Sequence, residues 1–165
     1  VVTGIQITGI EKDDKEALIS ELPDGVTTVV HRGVNSLIAC VGKGKCKNGQ
    51  METEELADYI ERKHYGRKTG HKCKIGISGC GRNCPDSMVK DIAFIGTSQG
   101  FMLAVGGNTG MRPEAGKILM RKLSIEQAKK AADILIDWYA EYGEPKERMG
   151  KLLERLGNPL ENKKL

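Results

Sequence analysis

Hydrophobic and polar residues alternate along the chain with two different periods, which predict strands and helices in turn. A period of two, or a run of β-branched residues, predicts strands at 1–10, 26–33, 71–79 and 117–123, and a hairpin from 91–96 and 100–107. Capping residues and apolar spacing predict helices at 12–23, 51–66, 124–143 and 144–157. Stretches rich in glycine and lysine predict loops at 37–50 and 107–117. These elements together predict an α+β fold with a mixed β-sheet and flanking helices.

The predicted strand at 71–79 separates two sets of side chains onto opposite faces of a sheet. One face carries Lys72, Lys74, Gly76, Ser78 and Cys80, and the other carries Cys73, Ile75 and Ile77. Cys73 is therefore predicted to be a buried core residue and not a ligand. The two lysines are predicted to hold an anion beside a site near Cys80. The alternative is that they are ordinary edge-strand lysines, which prevent a sheet from pairing further.

Composition and charge narrow the class of protein. The chain has 165 residues, which suits one domain with its own core. It contains no apolar run long enough to span a membrane and opens with no secretory signal pattern, so we expect a cytoplasmic protein. The net charge of +4 is uneven: residues 31–48 carry four Lys or Arg and no acid, and residues 62–90 carry eight against one acid. These two segments hold all five cysteines, which predicts an anionic partner near the thiols.

Two pairs of cysteines form the main candidate for a metal site. Cys40 and Cys46 are separated by five residues, and Cys80 and Cys84 by three. Structural zinc sites favour two to four residues between paired ligands, whereas iron–sulfur clusters accept more varied spacings. Glycines flank both pairs and allow backbone N–H groups to approach an inorganic core. The spacing favours a cluster and leaves zinc open, while an odd number of cysteines disfavours a disulfide framework.

The motifs ACVGKGKC and HKCKIGISGCGRNC, followed by DIAFIG, GFMLAVGGNTG and EPKERMGKLLERLG, resemble the sirohaem-dependent nitrite and sulfite reductases. The resemblance covers nearly the whole chain, and the paired cysteine spacing is its most specific part. It implies a nitrite/sulfite reductase haemoprotein-like 4Fe-4S/sirohaem domain at 31–165, which ends in a helix pair. It also implies part of a ferredoxin-like half-domain at 1–30. Because the chain begins in mid-strand without Met, this half-domain is expected to be incomplete.

The resemblance further implies two cofactors and the residues that hold them. A 4Fe-4S cluster would be held by Cys40, Cys46, Cys80 and Cys84, of which Cys84 would also bridge to the sirohaem iron. Sirohaem, which carries eight carboxylates, would contact Arg82, Asn83, His71, Gly106 and Gly107. Sulfite or nitrite would meet Lys72, Lys74 and Arg32, since the two lysines match a family K-x-K strand. The chain departs from the family at Val1 and Ile5, where basic residues are usual.

Three functions are compatible with these features. The first is an oxidoreductase that reduces sulfite to sulfide with six electrons from an external protein such as a ferredoxin, with nitrite reduction as its alternative. No dinucleotide-binding GxGxxG motif is present, so the donor is expected to be a separate protein. The second is a non-catalytic 4Fe-4S electron-transfer module without sirohaem, which the residues at Val1 and Ile5 favour. The third, a zinc-containing nucleic-acid module, is disfavoured because aromatic residues make up only 4% of the chain. Since larger family members hold two copies of this module, a homodimer is expected.

Overall fold

The computed structural model describes residues 11–22, 33–161, 163 and 165, and this part of the chain forms an α+β fold. The helices are α1 (Lys15–Ser20), α2 (Glu54–His64), α3 (Ile125–Tyr142) and α4 (Met149–Leu156). The strands are β1 (Gly33–Ala39), β2 (Lys72–Ser78), β3 (Ile92–Thr97), β4 (Gly100–Val105) and β5 (Lys117–Leu123). Two short 3-10 turns lie at Lys12–Asp14 and Ser87–Val89.

The five strands form one mixed sheet whose spatial order follows the sequence, β1-β2-β3-β4-β5. The pairs β1–β2 and β2–β3 are parallel, and the pairs β3–β4 and β4–β5 are antiparallel. Helix α2 forms the crossover between β1 and β2, as parallel pairing requires. The hairpin predicted from the two apolar runs is the β3–β4 pair, and the predicted mixed sheet is confirmed.

The hydrophobic core lies on one face of this sheet, against α2, α3 and α4. Cys73, Ile75 and Ile77 of β2 are fully buried there, and Ile92 and Phe94 continue the layer across β3. The register Ile75↔Ile92 and Ile77↔Phe94 places these side chains opposite one another. Side chains of α3 then close the core: Ala128, Ala131, Ala132, Leu135, Ile136 and Tyr139. The predicted core position of Cys73 is confirmed.

Helix α3 begins and ends where the sequence predicts. The Ser124 hydroxyl accepts the Gln127 N–H at 3.2 Å, and the Gln127 side-chain oxygen accepts the Ser124 N–H at 3.0 Å. This reciprocal arrangement is a capping box, which satisfies two donors that the first turn of the helix leaves unpaired. At the other end, Gly143 follows the last helical residue and its N–H binds the carbonyl of Tyr139.

Strand β1 extends further than the sequence predicts. Residues 37–39 were expected to belong to the loop at 37–50, but they form the last part of β1. The reason is their pairing with β2, which continues from Leu37↔Ile75 to Ala39↔Ile77. The loop therefore begins at Cys40, directly at the end of the strand. Of the predicted strand at 26–33, only Gly33 lies within the described residues.

Helix α4 is shorter than predicted, since residues 144–148 form a turn before it. The Glu147 carboxylate accepts the Glu144 N–H at 3.0 Å, and the Glu147 N–H binds the Glu144 carbonyl at the same distance. Lys146 has φ +70°, which a right-handed helix does not allow. The helix accordingly begins at Met149 with Arg148 as its N-cap residue.

Little of the predicted half-domain at 1–30 falls within the described residues. Helix α1 lies inside the predicted helix at 12–23, with Asp14 as its N-cap residue. The predicted strand at 1–10 lies outside the described residues, as do Val1, Ile5 and Arg32. The division of the chain at residue 30 thus remains a prediction. Among the described helices, none has the length and apolar character needed to cross a membrane.

Candidate functional site

The two cysteine loops start at the same edge of the sheet. Cys40 directly follows β1 and Cys80 follows β2 by two residues, and these neighbouring strands are parallel. Because the carboxyl ends of parallel strands meet at one edge, both loops emerge side by side. The Cys40 N–H continues the ladder by donating to the Ile77 carbonyl at 3.0 Å. We call the segment 40–50 the first cysteine loop and the segment 79–90 the second.

Gly79 joins the two loops through hydrogen bonds to both ends of the first. Its N–H donates to the Sγ of Cys40 at 3.0 Å. Its carbonyl accepts the N–H groups of Gln50 and Met51 at 2.8 and 3.0 Å. A side chain at this position would meet the Gly42 Cα at 2.7 Å and the Met51 carbonyl oxygen at 3.0 Å. The glycine therefore allows a close approach of backbones that another residue would prevent.

The first loop is closed by its own backbone and by the start of α2. The Cys46 N–H donates to the Gly42 carbonyl at 3.0 Å, and the Gly49 N–H donates to the Cys46 carbonyl at 2.9 Å. Thr53 is the predicted N-cap residue of α2, but its hydroxyl does not cap the helix. That buried hydroxyl instead donates to the Cys40 carbonyl at 2.5 Å. The cysteine end of β1 is thus anchored to the helix that follows it.

The second loop folds back over the face of β2 that carries the lysines. A side chain at Gly76 would meet the Cα of Ser87 at 2.6 Å, and the hydroxyls of Ser78 and Ser87 lie 2.8 Å apart. Asn83 holds the turn between the two cysteines of this loop. It has φ +54°, and its side-chain oxygen accepts the Met88 N–H at 3.3 Å. The predicted lysine face is therefore covered at its carboxyl end by this loop.

The five thiols fall into two groups by their exposure. Cys84 is exposed, and Cys40, Cys46 and Cys80 are half-buried, so all four are accessible to a bound group. Cys73 is fully buried, and burial raises the pKa of its thiol well above the ordinary value. A thiol kept protonated in an apolar core is a poor metal ligand. Within the described residues, no three His, Cys, Asp or Glu side chains come together as a metal-binding group, so ligation by all four cysteines remains a prediction.

Three lysines and an arginine surround the opposite, amino-terminal end of β2. Lys72 and Lys74 are half-buried on the predicted face, and Lys90 reaches the same place from the end of the second cysteine loop. Burial lowers the pKa of Lys74, and the positive charges of Lys72, Lys90 and Arg148 lower it further. A half-buried group of like charges is a natural place for an anion to bind. We call Lys72, Lys74 and Lys90 the lysine cluster.

Sequence reasoning missed the buried ion pair beside this cluster. Asp91 is fully buried, and its carboxylate accepts three hydrogen bonds from the Arg148 guanidinium at 2.8 to 3.0 Å. The same carboxylate accepts the backbone N–H of Lys74 at 2.8 Å. Burial raises the pKa of Asp91, against the lowering effect of Arg148. The only signal in the sequence is an acid directly before an apolar strand, which does not identify a partner 57 residues away.

The remaining predicted cofactor residues have varied surroundings. Arg82 is exposed, and Asn83 holds the turn described above. His71 directly precedes β2, and its carbonyl accepts the Gly33 N–H at 3.1 Å. A side chain at Gly106 would meet the Gly150 Cα at 2.8 Å, and one at Gly107 would meet the Met88 carbonyl oxygen at 2.4 Å. Close packing accounts for both glycines, and their predicted contact with a cofactor stays a prediction.

The arrangement suits a cluster ligated by thiolates. Four accessible thiols lie on two loops that hydrogen bonds hold together, and one backbone N–H already donates to a sulfur. N–H donors to ligand sulfurs are the usual surroundings of iron–sulfur clusters, and they stabilise the thiolate form. The lysine cluster, at the other end of β2, adds a place for an anion. Thiols suited to a redox cluster and a basic site along the same strand are together typical of redox proteins that act on small anions.

The comparisons with known proteins agree with that class. A family model described as the nitrite and sulphite reductase 4Fe-4S domain matches residues 31–159. The chain belongs to this family, whose description names a 4Fe-4S domain, and this favours an iron–sulfur cluster over the zinc alternative. The chain is 31% identical over 153 residues to the assimilatory-type sulfite reductase of Nitratidesulfovibrio vulgaris, a match that covers 93% of this chain and 70% of that protein. It is also 31% identical over 153 residues to a nitrite reductase [NAD(P)H] of Bacillus subtilis, and this match covers 93% of this chain and 19% of that protein.

The solved structures show the same fold. Dissimilatory sulfite reductase I superposes with a TM-score of 0.74 at 14% identity, over 92% of this chain and 57% of that one. The NirA protein of Mycobacterium tuberculosis superposes with a TM-score of 0.67 at 18% identity, over 77% of this chain and 25% of that one. The chain thus spans about a fifth of the nitrite reductase and most of the length of the assimilatory-type sulfite reductase. The predicted family and fold class are confirmed.

Proposed function

We propose that this chain is a sirohaem- and 4Fe-4S-binding oxidoreductase module that reduces sulfite to sulfide. The overall conversion takes one sulfite, six electrons and seven protons to one hydrosulfide ion and three waters. Sirohaem and the cluster would supply the electron chemistry, while the protein supplies position, charge and protons. Cys40, Cys46, Cys80 and Cys84 would hold the cluster, with Cys84 on the sirohaem side.

The observation that carries this proposal is that Lys72 and Lys74 lie on the face of β2 that the second cysteine loop covers at the carboxyl end of the strand. Lys74 and Ser78 are four residues apart on β2, a separation of about 13 Å at the usual rise of a strand. A lysine side chain cannot bridge that distance to touch an anion held at the cluster. A second, broader cofactor next to the second cysteine loop would bring the reaction within reach of Lys72 and Lys74, which favours sirohaem over a cluster alone.

The lysine cluster has two roles in the proposed reaction. Its ammonium groups hold the anionic substrate, and they stabilise negative charge that develops on the oxygens as they leave. Each oxygen leaves as water, so every stage consumes protons. Lys74 suits their delivery because its lowered pKa makes it a better acid than an ordinary lysine. Arg32 is proposed as a further substrate contact from the residues before β1.

Nitrite is the second candidate substrate. The chain is 31% identical to the nitrite reductase of Bacillus subtilis and 30% identical to the nitrite reductase (NADH) large subunit of Escherichia coli. The chain is 31% identical to the assimilatory-type sulfite reductase as well, so sequence identity does not separate the two anions and the assay below compares them directly. Both anions are small and oxygen-rich, so the lysine cluster is compatible with either.

The electron donor is proposed to be an acidic protein such as a ferredoxin. The first cysteine loop exposes Lys43, Lys45 and Lys47 next to the proposed cluster, and complementary charge would guide an acidic donor to it. A homodimer remains a prediction, based on the two copies of the module in larger family members. Sedimentation at micromolar concentration, where a dimer is expected, tests it.

The test is reconstitution followed by spectroscopy and turnover. The full chain is loaded without oxygen with iron, sulfide and sirohaem, and its visible spectrum is recorded. It is then assayed with sulfite and with nitrite, using reduced methyl viologen as the donor. We expect sirohaem bands, sulfide production and a higher kcat/KM for sulfite. Methionine variants of Lys72 and Lys74 are assayed in the same way. Their control is Lys130→Met, which removes an exposed lysine of α3 and should leave turnover unchanged.

Each contrary outcome selects a different function. Broad cluster absorption without sirohaem bands, and without turnover of either anion, would replace the proposal by an electron-transfer module. Turnover of nitrite with a kcat/KM well above that of sulfite would make nitrite the substrate.

A further inference from the structure

Four segments of the chain meet at the buried residue Asp91. Its side chain accepts the Lys74 N–H from β2 and three hydrogen bonds from Arg148, the N-cap residue of α4. Its carbonyl accepts the N–H of Gly106, at the end of β4, at 2.8 Å. Asp91 itself follows the second cysteine loop directly.

Two glycines bring these segments into contact. A side chain at Gly107 would meet the carbonyl oxygens of Met88 and Lys90 at 2.4 and 2.6 Å, so the turn after β4 lies flush against the end of the second cysteine loop. A side chain at Gly150 would meet the Gly106 carbonyl oxygen at 2.7 Å, so the first turn of α4 lies flush against the same turn. The position of Arg148 relative to Lys74 is therefore fixed by backbone packing as well as by the ion pair.

The guanidinium of Arg148 is held from a second side. Its Nη1 donates to the Asn108 side-chain oxygen at 3.4 Å, and that oxygen also accepts the Gly110 N–H at 3.0 Å. Asn108 in turn pairs with Glu114 through two backbone hydrogen bonds of 2.9 Å. Arg148 thus connects the loop after β4 with Asp91, while only 22% of its side chain is exposed.

The charges around Lys74 are unbalanced apart from Asp91. Lys72 lies on the same strand, Lys90 on the second cysteine loop and Arg148 on α4, and all three positive charges oppose protonation of Lys74. Among the residues that the structure describes, the negative charge that acts on it in the other direction is Asp91. A buried carboxylate and its arginine therefore have opposite effects on the same ammonium group.

We propose that the buried Asp91–Arg148 ion pair is the positioning element of the lysine cluster, holding the backbone of Lys74 and balancing the charge around its ammonium group. This inference rests on the proposed function, because the ion pair would control the proposed site of anion binding and proton supply. Asp91 and Arg148 are positioning residues: they act through Lys74 and need not touch the substrate. A bidentate arginine suits this role because its planar fork fixes a carboxylate in one orientation.

The first experiment measures proton binding at Lys74 without cofactor or turnover. The full chain is acetylated briefly with dilute acetic anhydride, which reacts with unprotonated amines, across a pH series. Peptide mass spectrometry then gives the pH midpoint of Lys74 labelling. We expect Asp91→Asn to lower the midpoint by about 1 pH unit, a tenfold loss of proton affinity, since a negative charge is removed. Arg148→Gln should raise the midpoint by a similar amount, since a positive charge is removed.

Arg155 on the same helix provides the matched control. It makes a bidentate ion pair with Glu147, with bonds of 3.0 and 2.7 Å, but it is 38% exposed and has no link to Lys74. Arg155→Gln should leave the Lys74 midpoint unchanged. Equal midpoints in all variants, or shifts of Asp91→Asn and Arg148→Gln in the same direction, would overturn the proposal.

A conservative variant keeps the proposal testable should either single change prevent folding, since unpaired buried charges are strongly destabilising. Arg148→Lys keeps the charge and removes the planar fork. We expect its Lys74 labelling midpoint to stay near that of the unchanged protein, while amide exchange of the Lys74 N–H, followed by NMR, becomes about tenfold faster. Arg155→Lys is the control for exchange. Unchanged exchange in Arg148→Lys would overturn the positioning role.

The outcomes separate this proposal from the proposed function. If the reconstituted protein reduces neither anion but the labelling midpoints move in opposite directions, the function is wrong and the positioning role stands. If sulfite is reduced normally while the midpoints of both variants stay fixed, the function stands and the positioning role is wrong.

Discussion

The backbone N–H of Gly79 donates a hydrogen bond to the sulfur of Cys40 at 3.0 Å, across the two cysteine loops. The Gly79 carbonyl simultaneously accepts the N–H groups at the far end of the first loop, from Gln50 and Met51. One peptide segment of the second loop thus organises the whole of the first. The proposed ligands on the two loops are thus positioned by the sheet and by these backbone hydrogen bonds.

Gly79→Ala should destabilise the protein and its proposed cluster. The new methyl group would meet backbone atoms of Gly42 and Met51 at 2.7 and 3.0 Å, and backbone cannot move aside as a flexible side chain can. We expect a loss of about 1–3 kcal/mol in the free energy of unfolding, typical of overpacking, together with lower iron content. Urea denaturation and iron analysis measure the two effects.

Gly81→Ala is the matched control, one residue beyond Cys80. A side chain at Gly81 meets no heavy atom within 4 Å. The change should alter the unfolding free energy by no more than about 0.5 kcal/mol, as surface substitutions usually do. Equal effects at both glycines would show that the contact between the loops is not important for stability.

The cysteines should divide into four that matter for the cluster and one that does not. Changing Cys40, Cys46, Cys80 or Cys84 to Ser should sharply lower the iron and acid-labile sulfide bound after reconstitution. Cys73→Val should leave both near normal, because Cys73 is buried in the core with its thiol protonated. Loss of the cluster on changing Cys73 alone would contradict this assignment.

The sequence allowed prediction of those features that depend on local pattern. Alternation along β2 separates Cys73 from the lysines, and the capping residues Ser124 and Gly143 delimit α3; each is a matter of neighbouring residues. The paired cysteine spacing sufficed to indicate the family because the spacing within each pair is a property of one short stretch of sequence. These predictions need no knowledge of which distant segments meet.

Features that depend on tertiary contact were missed or misplaced. Residues 37–39 look like the start of a glycine-rich loop, and only pairing with β2 makes them strand. The ion pair of Asp91 with Arg148 joins residues 57 positions apart, and nothing in either local sequence identifies the other. The Thr53 hydroxyl, expected to cap α2, binds the Cys40 carbonyl because that carbonyl lies at the end of β1.

Asp133 on α3 should be important for stability because three side chains of α2 meet its carboxylate. The Tyr59 hydroxyl donates to it at 2.8 Å, the Lys63 ammonium donates at 2.7 Å, and the buried His64 ring nitrogen Nε2 lies 2.7 Å away. Asp133→Asn removes the charge and one of the acceptor oxygens. We expect a loss of about 1–3 kcal/mol in the free energy of unfolding at pH 7, measured with urea.

The control for Asp133 is Asp137→Asn, one helical turn further on. Asp137 pairs with Arg67 at 2.5 Å, but its side chain is 54% exposed, so we expect a change of about 1 kcal/mol or less. A loss at Asp137 as large as that at Asp133 would mean that the two contacts of α3 are equivalent.

The effect of Asp133→Asn should depend on pH in one direction. Burial acts to raise the pKa of Asp133, but hydrogen bonds from Lys63, His64 and Tyr59 outweigh it and lower the pKa below the ordinary value. A carboxyl whose pKa is lower in the folded state contributes stability that is complete above its unfolded value and is lost as the pH falls through the folded value. The difference between the two proteins should therefore be full at pH 7 and shrink below about pH 4. A difference that persists undiminished at pH 2 would indicate a packing effect instead.

Lys74 should control the alkaline limit of turnover. In the proposed reaction its ammonium group would bind the anion and supply protons, and it can do both only while it is protonated. Burial and the charges of neighbouring lysines and Arg148 place its pKa below the ordinary value of 10.5. The kcat/KM for sulfite should consequently fall as the pH rises through that lowered pKa, before an ordinary lysine would lose its proton. Lys74→Met should lower turnover by roughly 10²-fold, the scale of losing one general acid or one charge-stabilising donor, and should abolish this alkaline limb.

Lys74→Arg separates the two roles of this side chain. Arginine stays charged at every pH of the assay, so it keeps the anion contact and cannot readily release a proton. If Lys74 mainly binds the anion, the arginine variant should keep a KM near normal and show no alkaline fall. If Lys74 mainly donates protons, the arginine variant should keep KM and lose kcat to nearly the same extent as Lys74→Met.

Lys72→Met should lower turnover by a factor similar to that of Lys74→Met while leaving iron and sirohaem content intact, because neither lysine is proposed to ligate metal. Normal rates and normal KM in both methionine variants would contradict the lysine site, and the proposed anion site would then move to His31, Arg32 and Arg82.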